Sequence, residues 1–422
     1  EIDSSAVKDV SGNGNLAVSN NILIEYSDIS RPSIVEATVN YSTGFVEFRS
    51  DETMDVTPLS LINTTKFVLM NGLNEVVIDL RRGIPKLATD HVNPSVPSAD
   101  YAQTRDGDTL RVGIQLDEDD RILALLASGQ PGGLNIGNGP LRVHALESAY
   151  RDIGLNPSLE VPVLAFNEYP DTIRPFPTQV IIEYDIGKVV LRFSEYIDVT
   201  PQSTMSTHNI YVANHTDGTD LPLVNLVNFQ EVDGLNVTLY LNEVYRNNGL
   251  RMSGVKGGDG HTAFMNFGLG SFQDIAGNLN ARWTSIAMTE IPDTRPPEII
   301  GSELFYGSGL LFIHFSETID VTPTSNVNVS GFFISNETTL SERGTIHVEG
   351  GRVTTPISDN STFSITLTEA QRAQAVRMSG TPGGDIGNII LDVVAGTVFD
   401  LAGNPNVLFF HVVILEHEDD IP

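Results

Sequence analysis

The amino-acid sequence predicts an all-β fold, in which tandem β-sandwich domains, each with one short helix, form a linear array. The main reason is internal repetition. A nine-residue motif occurs as SDETMDVTP at 50–58, FSEYIDVTP at 193–201 and FSETIDVTP at 315–323. A second motif, D-x-x-G-N or a relative of it, begins at Asp9, Asp152, Asp274 and Asp400. Self-similarity of this kind indicates a repeated structural unit.

The spacing of the two motifs defines the repeats. The aspartates of the DVTP motif, Asp55, Asp198 and Asp320, are 143 and 122 residues apart. The D-x-x-G-N aspartates have the same two spacings and then one of 126 residues. Each of the first three stands 46 residues before the next DVTP aspartate. Insertions are therefore tolerated within a repeat but not across a junction, which predicts a junction of fixed geometry.

The stretches around the nine-residue motif have the pattern of strands. In VVLRFSE (189–195) and LFIHFSE (311–317), inward apolar positions alternate with outward ones, as in a half-buried strand. Gly187 and Gly309 stand just before these strands and after another apolar stretch, which fits a β-hairpin. NVTLYLN (236–242) alternates in the same way. Short strands separated by Gly, Asn and Asp turns are typical of β-sandwiches.

One segment of each repeat has the signals of a helix. Residues 116–133, 241–258 and 367–384 align without gaps. Each starts with a good N-cap residue followed by glutamate, and each closes with Ser-Gly after a short stretch that contains an arginine. These signals indicate one short helix. The N-cap residues are Asp117, Asn242 and Thr368, and the arginines are Arg121, Arg246 and Arg372.

The motifs predict three complete domains and part of a fourth. The expected domains are residues 31–173, with an insertion near 74–105, then 174–294, and then 295–422. Residues 6–32 align with 271–297, which is the end of a repeat. We therefore expect residues 1–30 to be the C-terminal strands of a preceding domain.

The composition argues against several classes of partner. Lys and Arg total 24 against 54 Asp and Glu, which gives a formal net charge of −30. Such a surface repels nucleic acid and anionic membranes and attracts cations. Cysteine is absent, so disulfides and thiolate metal sites are excluded. No apolar run reaches the length of a membrane span, so we expect no membrane insertion within this sequence.

The motifs of common catalytic sites are also missing. The sequence contains no G-x-S-x-G, no H-E-x-x-H and no glycine loop that opens a helix, as phosphate binding requires. Its nine histidines do not recur at matching positions of the repeats. We therefore expect that the protein is not an enzyme.

The repeated motifs carry a family resemblance. A strand that ends in F-S-E-x-ϕ-D (ϕ, apolar), followed some 80 residues later by D-x-A-G-N, resembles the Ig-like repeats of prokaryotic surface proteins. The DVTP variant is most similar to repeats of archaeal surface-layer and related cell-surface proteins. The resemblance covers nearly all of the chain, and the first repeat departs from it at Ser50-Asp51 and at DIGLNP, 152–157. It implies tandem Ig-like domains in an extracellular scaffold that forms arrays or mediates adhesion.

Pairs of acidic residues stand at the junctions and suggest calcium. Each pair has the form E-x-x-D and precedes the first strand of the next domain. The pairs are Glu25/Asp28, Glu168/Asp171, Glu290/Asp293 and Glu416/Asp419. Calcium takes roughly six to eight oxygen ligands, so a junction pair and a loop aspartate of the adjoining domain would bind Ca²⁺ and stiffen the junction. The loop candidates are Asp198 and Asp320 of DVTP, then Asp274 and Asp400 of D-x-x-G-N.

Turn capping and ion pairs explain the same residues without a metal. Aspartate in DVTP, or before Gly-Asn, commonly caps its own turn. Arg31, Arg174 and Arg295 follow the junction aspartates by two or three residues and would neutralise them. Calcium and arginine cannot both neutralise one carboxylate at low cost, so the structure should distinguish the two explanations.

Seven N-x-[ST] acceptors for glycosylation agree with an exterior location. They are Asn40, Asn63, Asn214, Asn236, Asn328, Asn336 and Asn360. Asn236 lies inside a predicted strand and would have to point outward to be modified.

The expected function is structural. We expect a segment of an extracellular surface-layer or filament protein at the cell surface, which assembles with copies of itself and attracts cations. The alternative is an adhesin stalk or a non-catalytic binding module of a secreted protein. Assembly distinguishes the two, because a stalk would stay monomeric when divalent cations are supplied.

Overall fold

The chain folds into two compact units that contain three eight-stranded sheets. The units are Glu1–Thr172 and Ile173–Pro422. The first contains one sheet and the second contains two. The predicted all-β fold of tandem sandwich domains is confirmed. The computed structural model describes residues 1–20, 22–91, 98–224, 226–336, 345–355, 358–385 and 387–418.

The first sheet extends from residue 34 to residue 169. Its strands are β1 Ile34–Asn40, β2 Phe45–Met54, β3 Phe67–Met70, β4 Val76–Asp79, β5 Ile84–Leu87, β6 Thr109–Gln115, β7 Arg142–Ala145 and β8 Val161–Tyr169. Their spatial order is β4-β3-β7-β8-β1-β2-β6-β5. The strands β4 and β5 lie within the stretch near 74–105, and strands in the same places of the other two sheets correspond to them, so the additional residues of this repeat leave the strand number and order unchanged.

The second and third sheets form the second unit. The second consists of β9 Pro177–Glu183, β10 Lys188–Ile197, β11 Ile210–Ala213, β12 Leu221–Pro222, β13 Asn228–Phe229, β14 Gly234–Tyr240, β15 Phe264–Phe267 and β16 Trp283–Ile291. The third consists of β17 Ile299–Phe305, β18 Leu310–Ile319, β19 Phe332–Ser335, β20 Ile346–His347, β21 Arg352–Thr355, β22 Asn360–Thr366, β23 Ile390–Val393 and β24 Phe409–His417. Corresponding strands take the same spatial order in all three sheets. The proposed boundary near 294 lies between the second and third sheets.

The last strand of each sheet closes the sandwich by pairing with both halves. In the second unit, the first half of β16 pairs antiparallel with β15, where Met265 faces Ile286. Its second half pairs in parallel with β9, where Met288 faces Val180. The strands β8 and β24 do the same in the other sheets. The last strand is therefore shared by the two layers, and the core depends on its presence.

Each repeat contains one short α-helix at the predicted position. The helices are α1 Glu118–Leu126, α2 Glu243–Arg251 and α3 Glu369–Met378. The predicted N-caps are confirmed, because the side chains of Asp117, Asn242 and Thr368 each accept a hydrogen bond from a backbone N–H of the first turn. The 3-10 helices among the described residues are Leu59–Leu61, Thr64–Lys66, Leu80–Arg82, Ala88–His91, Ser98–Tyr101, Gln202–Thr204, Thr207–Asn209, Thr324–Asn326 and Val329–Gly331.

The nine-residue motif marks the end of the second strand of each sheet. The strands β2, β10 and β18 end at Met54, Ile197 and Ile319, directly before the DVTP turns. The proline of each turn follows a cis peptide bond. Gly187 and Gly309, with φ of 65° and 69°, form the predicted hairpin turns before β10 and β18, which only a residue without a Cβ adopts readily.

The first repeat compensates for its departure from the motif. Phe193 of FSEYIDVTP is buried and lies 4.6 Å, between ring centroids, from Phe272. The corresponding residues of the first repeat are Ser50 and Tyr150. The Ser50 and Tyr150 hydroxyls are 3.0 Å apart and hydrogen-bonded in the core. A larger polar ring opposite a smaller side chain therefore keeps the position filled and its hydroxyl satisfied.

The described part of residues 1–30 contains isolated β-bridges and no regular strand. The bridges join Ile2 to Val18 and Lys8 to Gly14. The apolar side chains that follow are exposed, with Ile22 at 93 %, Leu23 at 80 % and Ile24 at 79 %. A strand needs a neighbouring edge for its backbone hydrogen bonds. Residues 22–30 pair with no described sheet, and their assignment as the end of a preceding domain stays a prediction.

Candidate functional site

Three buried carboxylates meet where the second sheet leads into the third. Asp293 lies in the linker after β16, Glu317 lies in β18, and Asp400 lies in the D-x-x-G-N loop before β24. One oxygen of each lies within 4.8 Å of the others. At most 7 % of each residue is exposed. Like charges this close require a cation or a proton nearby. We call these three residues, together with Arg246, the Arg246 seam.

Arg246 of α2 supplies the positive charge of this seam. Its Nη1 donates to Asp293 Oδ2 at 2.6 Å and to the Tyr184 carbonyl at 2.8 Å. Its Nη2 donates to Glu317 Oε2 at 3.0 Å. Glu243, one turn earlier, accepts from Nε and Nη2, both at 2.8 Å. A guanidinium has five N–H donors, and these contacts use all of them.

The same helix binds the backbone of the next repeat directly. Glu243 Oε1 accepts a hydrogen bond from the Thr318 backbone N–H at 2.7 Å. Asn247 Nδ2 donates to Thr318 Oγ1 at 2.6 Å. Arginine, glutamate and asparagine of α2 thus hold the end of β18 through three charged or polar contacts. This arrangement fixes the position of the third sheet on the second.

Burial and neighbouring charge shift the ionisation of the seam. Burial, followed by the charge of Asp293, raises the pKa of Glu317 to about 8, although Arg246 opposes the shift. Burial also raises the pKa of Asp400, against hydrogen bonds from Asn404. The seam therefore holds more negative charge than a single guanidinium compensates, and a proton on Glu317 relieves the excess.

A cavity of about 270 Å³ lies beside Arg246. Its lining includes Asp185, Glu243 and Arg295, and residues of both the second and the third sheet contribute to it. The donors of Arg246 are all directed to protein oxygens, as described above. The cavity therefore gives solvent access to the seam.

A second cluster of carboxylates lies in the first unit. Asp28, Glu52 and Asp152 each have one oxygen within 4.8 Å of the others. Asp28 is exposed and Asp152 is buried. Asp152 accepts hydrogen bonds from Asn156, and Asp28 accepts one from the Ser30 backbone N–H. Burial, with the charges of Asp28 and Asp152, raises the pKa of Glu52. We call these three residues the Asp28 cluster.

The Asp28 cluster differs from the Arg246 seam in having no basic partner among the described residues. Among the described residues, no Lys, Arg or His forms an ion pair with Asp28, Glu52 or Asp152. Oε2 of Glu52 is buried and accepts no hydrogen bond from the described residues. Protein packing holds the three carboxylates of the Asp28 cluster together. Solvent, protons or an external cation must therefore relieve the repulsion between them.

The arginine of α1 repeats the geometry of Arg246 within the first unit. Arg121 Nη1 donates to Asp171 Oδ2 at 2.6 Å and to the Tyr41 carbonyl at 2.8 Å. Glu118, one turn earlier, accepts from Nε and Nη2, both at 2.6 Å. Helix arginines therefore neutralise both Asp171 and Asp293. Arg31, which the sequence suggested as the partner of Asp28, instead pairs with Glu147 at 2.6 Å.

The junction glutamates lie in a different place from the aspartates. Each accepts a hydrogen bond from the tyrosine hydroxyl that follows the first strand of its own sheet. The pairs are Glu168–Tyr41 at 2.7 Å, Glu290–Tyr184 at 3.2 Å and Glu416–Tyr306 at 2.6 Å. Among the described residues these glutamates belong to none of the carboxylate clusters. They fasten the last strand to the first, and Glu25 has no such tyrosine among the described residues.

The loop aspartates divide into two groups. Asp198 caps its turn through the Thr200 backbone N–H at 3.2 Å and accepts from Gln273 at 2.9 Å. Asp320 pairs through its backbone N–H with the Phe399 carbonyl and joins no cluster of the described residues. Asp274 and Asp400 each cap the backbone N–H four residues later at 2.8 Å. Asp400 combines this capping with membership of the Arg246 seam. Asp419 lies outside the described residues.

Sequence reasoning missed Glu52, Glu317 and Arg246 as members of these sites. The two glutamates occupy the same position in the nine-residue motif, SDE in one repeat and FSE in the other. The arginine recurs with a glutamate three residues earlier, as E-x-x-R, in all three helices. Recurrence of charged residues was therefore a usable signal. The sequence gave no signal that Arg246 pairs with Asp293 and Glu317, which are 47 and 71 residues away from it.

The glycosylation acceptors stay predictions. Asn63, Asn214, Asn328 and Asn360 are exposed, and Asn40 and Asn336 are half-buried. Asn236 of β14 is exposed and points away from the core, as modification would require.

Comparisons with known proteins assign no family. No protein-family model matches the chain, and no curated protein matches it. Among the described residues, no helix has the length and apolarity for crossing a bilayer.

Several solved structures share some similarity. The N-terminal part of the bacterial S-layer protein SbsC matches 47 % of this chain at 16 % identity, with a TM-score of 0.18. The match spans 45 % of that SbsC chain, less than half of its length. The FN1–FN3 domains of chicken CNTN1 match 93 % of this chain and 100 % of theirs, at 8 % identity and a TM-score of 0.23. The N-terminal four Ig domains of Dscam1 match 92 % and 78 %, at 10 % identity and a TM-score of 0.15. At these TM-scores the similarities assign no function.

Replacing Arg246 should destabilise the second unit strongly. In Arg246→Met, the buried carboxylate of Asp293 loses its counter-charge and Glu317 loses a hydrogen-bond donor, which we expect to cost about 3–5 kcal/mol. Arg251→Met is the matched control: Arg251 of the same helix also contacts the third repeat, at Asp359, but its side chain is 51 % exposed. That change should cost at most about 1 kcal/mol. Urea unfolding followed by Trp283 fluorescence measures both, and equal losses would contradict the role given to Arg246.

The ionisation of Glu317 should make the seam weaken as the pH rises. Its pKa is about 8 in the folded chain and 4.5 ordinarily, so the folded state binds its proton more tightly. The contribution of this group to stability is therefore full below about pH 4.5 and is lost as the pH rises towards 8. In Glu317→Gln, the free energy of unfolding should fall less steeply across this interval than in the parent. Glu298→Gln, at an exposed residue, should follow the parent; a Glu317→Gln curve parallel to the parent would refute the shift.

Calcium at the junctions stays a prediction, and the structure makes it specific. Asp293 already has a guanidinium, whereas the Asp28 cluster has none among the described residues. Calorimetric titration of the full chain with Ca²⁺ should therefore lose a site in Asp28→Asn and keep it in Asp293→Asn. Identical titrations of the parent and Asp28→Asn would remove this cluster from consideration.

Proposed function

We propose that this chain is a non-catalytic segment of an extracellular scaffold, of the surface-layer or filament type, in which tandem Ig-like repeats are locked together at buried seams. Its task is mechanical, to hold successive repeats in a fixed relation and to present an acidic surface outside the cell. Self-assembly with copies of the chain belongs to the same proposal.

The observation that carries this proposal is the Arg246 seam. A linker between independent domains needs only to be polar and flexible. Here one guanidinium contacts the second repeat, the linker and the third repeat at once, at 2.6 to 3.0 Å. Burying an ion pair costs desolvation and often adds little net stability. Its use at a junction supports a role in fixing geometry, because a planar guanidinium that donates in several fixed directions restricts orientation as well as distance.

The charge of the chain supports the same proposal. A net charge of −30 keeps separate copies apart at low ionic strength. Cations screen this repulsion, and divalent ions also bridge carboxylates of neighbouring molecules. Assembly outside the cell, where calcium is plentiful, would then be controlled by the medium and not by an energy-consuming step.

Electron microscopy of the purified chain tests the proposal. Negatively stained samples are compared in calcium chloride, in sodium chloride of equal ionic strength, and after chelation. We expect ordered assemblies of many copies in calcium, fewer in sodium, and dispersal on chelation, since a divalent bridge is specific and screening is not. Monomers under every condition would contradict self-assembly and would favour the adhesin stalk.

A further inference from the structure

Residues 8–14 have the local geometry of the D-x-x-G-N loop near the end of a repeat. Lys8 forms a β-bridge with Gly14, and Asn13 donates to both carboxylate oxygens of Asp9 at 2.9 and 3.0 Å. The same bridge and the same pair of bonds occur in the D-x-x-G-N loop of the third repeat, between Phe399 and Pro405 and on Asp400. The loop therefore forms without a sandwich around it.

The segment that follows this loop pairs with no sheet among the described residues. In the repeat register, Leu23 corresponds to Phe166, Met288 and Ile414. Those three residues are the inward side chains of β8, β16 and β24, and their exposures are 4 %, 5 % and 3 %. Leu23 is 80 % exposed. The neighbour Ile24 corresponds to Leu415, which is 59 % exposed in its intact sheet, so exposure of Ile24 is ordinary and exposure of Leu23 is not.

The polar residues of the same segment lack the partners that their counterparts have. The counterparts of Glu25 accept from tyrosine hydroxyls, and the counterparts of Asp28 accept from a helix arginine, as described above. Glu25 and Asp28 are exposed and have neither partner among the described residues. The Asp28 cluster is thus the Arg246 seam without its arginine. The exposed Leu23 and the acidic cluster are independent observations, and both fit contact with the same kind of partner.

We propose that residues 22–30 close a further β-sandwich, presented by a partner that is a repeat of this same type, lacks its own last strand and carries a helix arginine. Leu23 fills the core of that partner, Glu25 accepts from its tyrosine, and its arginine enters the Asp28 cluster. The segment is a connector through which another repeat is locked onto the first sheet. The inference rests on the proposed tandem scaffold and identifies the chemistry of its next contact.

A chain that supplies such a partner tests the inference. In it, residues 174–281 replace residues 1–16, so that a second copy of the β9–β15 body precedes residue 17 in the repeat register. The added body carries copies of Tyr184 and Arg246 but no closing strand. Hydrogen–deuterium exchange is measured for residues 22–26, and calorimetry follows the unfolding of the added body.

The expected result is that residues 22–30 pair with the added body as its closing strand. Exchange of residues 22–26 should slow by more than about 100-fold relative to the parent, with cooperative unfolding of the added body. Leu23→Asp should abolish both effects, whereas Ile24→Asp should retain them, since its side chain points outward. In the parent chain neither substitution should change the unfolding of the three sheets, because both residues are exposed there.

Three outcomes would overturn the inference. Exchange of residues 22–26 as fast as in the parent is the first, and an added body that stays unfolded is the second. Equal effects of Leu23→Asp and Ile24→Asp are the third. A failure of calcium-dependent assembly would refute the proposed scaffold but leave the exchange result standing, so the two proposals fail separately.

Discussion

The arrangement of the second and third repeats depends on one buried guanidinium. Arg246 lies among Glu243, Asp293 and Glu317, and without it these carboxylates would repel one another in a site with little water. Arginine suits this position better than lysine, because its planar head donates in several fixed directions and stays charged. It also suits the position better than calcium, since four of its five donors reach carboxylates and the fifth satisfies the Tyr184 carbonyl. A spherical ion would leave the orientation of α2 free.

The closing strand β16 leads directly into Asp293 of the Arg246 seam. Folding of the sandwich and the geometry of the junction are therefore coupled. β16 pairs with both layers of its sandwich, and Asp293 follows two residues after its end. Glu290, within β16, fastens the strand to Tyr184. A repeat whose last strand is in place therefore also delivers its junction aspartate to the helix arginine. The fixed spacing across the junctions follows from this continuity, because an inserted residue would move Asp293 away from Arg246.

The acidity of the chain has a local counterpart in these clusters. The chain has 24 Lys and Arg residues against 54 Asp and Glu residues. One of these basic residues, Arg246, lies in the buried seam, where the carboxylates need a cation. Elsewhere, aspartates are satisfied by backbone N–H groups, as Asp198 and Asp400 are. Such hydrogen bonds stabilise the charged form of the aspartate without a basic residue nearby. In the Asp28 cluster no basic side chain of the described residues pairs with the three carboxylates, which is why it carries the calcium prediction and the inferred contact alike.

The amino-acid sequence by itself determined the repeat, its strands and its helix. Alternation in VVLRFSE, the N-caps Asp117, Asn242 and Thr368, and the hairpin glycines act over a few adjacent residues, so they can be read without coordinates. The sequence also indicated that junction aspartates matter. It suggested that Arg31 and Arg295, the nearest arginines in the sequence, neutralise the junction aspartates, which is wrong. It also placed Glu290 and Asp293 in the same candidate metal site. Only the tertiary structure decided that Arg246, 47 residues away, is the partner of Asp293 and that Glu317 joins them. The physical reason is that strand pairing across the sandwich sets these distances, and no local propensity encodes them.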